Sequence, residues 1–131
     1  MRPTEHVKDW SAEQILDHVY QHFIVEGNPW CGQGSNCFYN KTGCAVGCLL
    51  TQEESEVLES KHAGRRIDDI FIDCVKDSEV DNIVKDLRLH RDLLLKLQSS
   101  HDSYAFYDIN LFKENFGSEI KKIGLSYGWQ R

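Results

Sequence analysis

Proline is nearly missing from this chain, which holds only Pro3 and Pro29. No Pro/Ser-rich linker, low-complexity tract or internal repeat divides it, so nothing marks a domain boundary. Long apolar runs are missing too. No window approaches the roughly 18 apolar residues of a membrane span, which argues against a transmembrane helix. The opening Met1-Arg2-Pro3-Thr4-Glu5-His6 lacks the apolar stretch of a secretory signal. Both absences lead to the expectation of a cytoplasmic protein with no membrane partner. Basic charge is short: 15 Lys plus Arg stand against 21 Asp plus Glu, a formal net charge of −6. General nucleic-acid binding needs a basic stripe to neutralise phosphates, so that class is not expected. The acidic balance fits a basic partner or plain solubility, and −6 is modest for a mimic of nucleic-acid charge. No Walker or dinucleotide fingerprint occurs, and Gly32-Gln33-Gly34 alone is too weak to count as one.

What is present is a globular composition. Apolar residues make up 40% and charged residues 27%, which is not the balance of a disordered chain. The 131 residues suit a single domain over 1–131, with a core large enough to need neither disulfide nor metal. Cysteine is an odd five (Cys31, Cys37, Cys44, Cys48 and Cys74), four of them within 18 residues. Without a signal sequence these read as thiols rather than a disulfide framework, and the Asn40-Lys41-Thr42 sequon is then coincidental. The spacing Cys31-x5-Cys37-x6-Cys44-x3-Cys48 lacks the short paired knuckles of structural zinc sites. His18 and His22, one helical turn apart, can form half of a metal site, but read better as flanking a buried stripe and meeting water. Neither metal nor cofactor is expected.

Periodicity predicts a mainly α fold: about four helices and a small β-hairpin near residues 37–47, in one compact domain. Ser11 and Gln14 form a capping box ahead of Ile15, Leu16, Val19, Tyr20 and Phe23, so a helix runs from about Ala12 to Val25. Gly27-Asn28-Pro29 stops it. Cys37-Phe38-Tyr39 reads as a short strand, and Asn40 to Gly43 as a turn. Cys44 to Leu50 is an apolar run that fits a strand or a buried helical turn. Thr51 and Glu54 form a second capping box, opening a short acidic helix that ends near Gly64 with a solvated face. Between Ile67 and Val75 the core candidates are Ile70, Phe71, Ile72 and Val75. A continuous helix is expected from about Val80 to His101, with Ile83, Leu87, His90, Leu94, Leu97 and His101 along one face. Asp108 caps a last helix carrying Ile109, Phe112, Phe116, Ile120, Ile123 and Tyr127.

Two features can carry chemistry. If Cys44 opens a helical turn, the unsatisfied N–H groups there favour its thiolate. A nucleophilic cysteine also needs a base, and His101 with Asp102 is the supply in this sequence. Adjacent residues of a regular helix do not face one another, so Asp102 is not expected to orient His101 side by side. The competing account makes Cys44 and Cys48 small buried apolar residues and His101 a core-edge histidine bonded to a backbone carbonyl. The balance lies with that structural account. Trp30, Phe38 and Tyr39 in the Gly-rich stretch form either a recognition surface or a cover over the core.

Two segments carry a family resemblance. Cys37-Phe38-Tyr39-Asn40-Lys41-Thr42-Gly43-Cys44-Ala45-Val46-Gly47-Cys48-Leu49-Leu50 resembles a pattern in small uncharacterised proteins of bacteriophages and prophages. There a cysteine and an aromatic pair lead through a turn into Cys-Ala-Val-Gly-Cys-Leu-Ile. Leu97-Gln98-Ser99-Ser100-His101-Asp102 resembles their Leu-Gln-x-x-His-Asp segment. The chain departs from the pattern in its Asn-Lys-Thr-Gly turn and at Thr51-Gln52, where a Pro-Asp is usual. The resemblance implies provenance, a phage-type protein in the bacterial host cytoplasm, and no mechanism. Taken with small size, expected cytoplasmic character and acidic charge, it leads to the expectation of an accessory protein that binds and inhibits a host protein such as a defence factor. It also makes Cys44, His101 and Asp102 part of the shared pieces. The alternatives are a small cysteine-dependent hydrolase or transferase using Cys44 with His101, and a protein that sequesters a small ligand.

Overall fold

The computed structural model describes residues 3–27, 45–62, 67–73, 76–104 and 108–131. Within them the chain is mainly helical, with no strand. The elements in order are α1 (Ala12–Tyr20), a π-helical turn (Gln21–Val25), a 3-10 turn (Gly47–Leu49), α2 (Gln52–His62), α3 (Ile67–Asp73), α4 (Ser78–Arg88), α5 (Arg91–Tyr104) and α6 (Ile109–Leu125). Among the described residues six α-helices thus stand where about four were expected. Of the expected hairpin at 37–47, residues 37–44 lie outside the described residues, and 45–47 form a turn that enters the 3-10 helix.

The helix starts are written locally. Ser11 Oγ accepts from the Gln14 N–H while Gln14 Oε1 takes the Ser11 N–H, a reciprocal box that satisfies two otherwise unpartnered donors. Thr51 and Glu54 repeat the device at α2. Asp77 and Asp108 cap α4 and α6, each accepting from two backbone N–H groups. The first helix covers the predicted span, but its last turn widens: the Glu26 N–H reaches back to the Gln21 carbonyl. With that extra residue in the turn, His22 and Phe23 are both buried, so His22 does not meet water as expected.

The expected long helix is two. Leu89 and His90 form a turn between α4 and α5, with Leu89 80% exposed. His90 is tied out of the helix: its Nε2–H donates to the Trp10 carbonyl at 2.8 Å, and its own carbonyl takes the Leu94 N–H. The apolar face survives the break, with Ile83, Leu87, Leu94 and Leu97 all buried. Ile72 is a second correction. At 63% exposed it points away from the core, while Ile70 and Phe71 fill it; Val75 lies outside the described residues.

One continuous core joins these elements. Helix α5 packs along α6, α1 lies across α6 and the 3-10 turn, and α2 and α3 close on α4. The C-terminus folds back over α6. Gly128, at φ 73°, lets the chain reverse so that the Trp129 N–H bonds the Gly124 carbonyl. The indole then lies on Gly124, where a Cβ would fall 2.3 Å from Trp129 Cε3. No helix of the described residues is long and apolar enough to cross a membrane.

Candidate functional site

Two of the three expected catalytic residues are described, and they touch. His101 is fully buried near the end of α5. Its Nδ1 lies 3.1 Å from Asp102 Oδ1. This overturns the expectation that neighbours on a helix cannot pair side by side, since α5 continues to Tyr104. The physical reason is a third side chain. Gln98, one turn earlier, donates its Nε2–H to the same Asp102 oxygen at 2.8 Å and draws the carboxylate back over the helix.

That contact sets the tautomer. A carboxylate only accepts, so the proton sits on Nδ1, and in the neutral ring Nε2 carries the lone pair. Nε2 is buried and has no hydrogen-bond partner among the described residues. The backbone carbonyl expected for a purely structural histidine is therefore missing from its described surroundings. Instead the ring is walled by Phe23, Phe112 and Phe116, with centroids 5.2, 5.3 and 5.6 Å away. Such a stranded nitrogen costs about 1–3 kcal/mol in an apolar site, and buried unsatisfied groups in folded proteins call for a reason.

Gln98 also reaches the other half of the sequence. Its Oε1 accepts the Val46 N–H at 3.1 Å, so the turn that follows Cys44 is pinned to the turn of α5 that leads to His101. A second tie lies alongside. His18 Nε2–H donates to the Cys48 carbonyl at 2.8 Å, and burial, the largest influence on the ring, holds its pKa below 6.5 despite that bond. Cys48 is buried and its thiol donates to the Ala45 carbonyl at 3.1 Å.

Cys44 itself, the expected nucleophile, and Trp30, Phe38 and Tyr39, the expected binding aromatics, lie outside the described residues. So do Cys31, Cys37 and Cys74. Among the described residues no group of three His, Cys, Asp or Glu side chains converges as a metal site. Gln98 was not singled out by the sequence, although its four-residue spacing from Asp102 is a legible helical pair. The phenylalanine cage was legible only as core. No family model, curated protein or solved structure matches this chain.

Proposed function

We propose that the chain is a small cysteine-dependent hydrolase or transferase in which His101 is the general base, Asp102 orients it and Cys44 is the nucleophile. The observation that carries this reading is the buried, unpartnered Nε2 of His101, opposite an Nδ1 held by Asp102. That is the protonation pattern a base requires: one nitrogen fixed as donor, the other left with its lone pair. The Val46–Gln98 bond supports the pairing, since Val46 is two residues from Cys44 and Gln98 three from His101. An imidazole next to the thiol takes its proton, and the resulting imidazolium stabilises the thiolate.

The test is site-resolved alkylation of the intact protein at neutral pH, followed by peptide mass spectrometry. Cys44 should react faster than a cysteine in an unstructured peptide. It should slow sharply in His101→Leu and, with the tautomer no longer fixed, in Asp102→Asn. A Cys44 that stays inert until the protein unfolds defeats the catalytic reading.

The second reading is a phage-type accessory protein that binds and inhibits a host component. It is favoured by the complete burial of His101, which gives a substrate no described route to the ring, and by exposed apolar side chains at Ile72 and Leu89. Its mark is inhibition of the host factor that survives Cys44→Ala and is lost when Ile72 and Leu89 are both changed to aspartate.

A further inference from the structure

Residues 3–10 form a strap ahead of α1, held down at Val7, Trp10 and His6. Val7 is buried in the core. The Trp10 carbonyl takes the His90 Nε2–H at 2.8 Å. His6 inserts between two helices, its Nδ1 2.6 Å from Glu54 Oε2 on α2 and its Nε2 2.7 Å from Asp86 Oδ2 on α4.

We propose that this strap is a pH-dependent latch, fastened while His6 carries its second proton and loosened when it loses it. Both ring nitrogens face carboxylates, and carboxylates only accept. Only the imidazolium can donate from both positions at once. In the neutral ring one lone pair is set against a carboxylate oxygen at hydrogen-bond distance, and attraction becomes repulsion. Among the described residues Glu54 and Asp86 are the charged groups that face the ring.

The balance of forces follows the geometry. Burial is the largest single influence and works against the charge. Hydrogen bonds and Coulombic attraction from Asp86 and Glu54 together outweigh it, so the docked ring titrates above its ordinary 6.5. For a group whose pKa is raised on docking, the stabilisation is complete below 6.5 and is lost as pH rises through the docked value. The latch is therefore closed in mildly acidic solution and loosens towards alkaline pH.

Loosening reaches beyond the strap. Glu54 holds His6 with one oxygen and caps the Thr51 N–H with the other at 2.9 Å, so the latch shares a carboxylate with the start of α2. Trp10 packs on His18 at a ring distance of 5.4 Å, and His18 bonds the Cys48 carbonyl. The strap thus adjoins the turn that follows Cys44, although the latch stands whether or not Cys44 is a nucleophile.

The experiment uses the full chain. The His6 ring is titrated by imidazole nitrogen NMR while hydrogen-exchange protection is followed at the Val7, Lys8 and Trp10 amides, corrected for intrinsic exchange. His6 should titrate above 6.5, and strap protection should fall with the same midpoint. The total fall should be about tenfold for each unit by which the measured His6 value exceeds that of a free imidazole. His6→Gln should give pH-independent protection, and Asp86→Asn should move the midpoint down. His18 titrates on the acid side of 6.5, so its contribution falls in a separate window. A His6 ring that titrates at or below 6.5, flat protection in the wild type, or an unchanged midpoint in His6→Gln each overturns the latch.

Discussion

Replacing His101 with leucine separates a histidine kept for chemistry from one kept for packing. The substitution removes Nε2, a buried nitrogen without a described partner, and so recovers about 1–3 kcal/mol of desolvation cost. It also breaks the Nδ1 bond to Asp102. Asp102 is 54% exposed and its carboxylate regains water, so that loss is held to about 0.5–1.5 kcal/mol. Edge contacts between the imidazole and the three phenylalanine rings are given up, worth roughly 0.5–1.5 kcal/mol where such pairs are well oriented. Leucine returns apolar contact to the same cage and suits a helix well. These contributions nearly cancel, and before the leucine contacts are counted the expected change lies between a loss of about 2 and a gain of about 2 kcal/mol. Urea denaturation of wild type and variant, compared at equal slope, reads it. Phe116→Ala supplies the scale, because emptying the opposite wall of the cage should cost about 3–5 kcal/mol. A His101→Leu loss approaching that of Phe116→Ala would show that Nε2 is bonded in solution and that the ring is structural.

Two further outcomes test the packing. Leu94 is fully buried on the face that survives the α4–α5 break, so Leu94→Ala should cost about 2–5 kcal/mol in denaturant melts; a loss under half of the lower value would show that this face is not the core. Gly124→Ala drives a methyl into the Trp129 ring, and should cost about 1–3 kcal/mol. It should also release the indole from Asp17, its 2.8 Å partner, and shift tryptophan emission to longer wavelength. An unshifted spectrum at wild-type stability would mean that the C-terminal fold-back is not formed in solution.

The sequence by itself determined what neighbours within a turn decide. Capping boxes at Ser11 and Thr51, and the Asp108 cap, need only residues two or three apart, and all three form as read. The buried faces of α1, α4, α5 and α6 follow from apolar spacing in the same way. The site was half legible. His101 and Asp102 stood out as a base and its neighbour, but the chain could not show that Gln98 draws the pair together, because that depends on side-chain rotamers meeting over α5. Tertiary structure alone decided the rest. No proline or glycine marks the break at Leu89-His90; it follows the Trp10 carbonyl, which holds His90 from far along the chain. His6 reads as an ordinary polar residue near the start until Glu54 and Asp86 close on it from two helices. The physical reason is range. A helix cap or stripe is set by bonds a few residues long, whereas a histidine's role is set by whichever carboxylate, carbonyl or ring the fold brings to each of its two nitrogens.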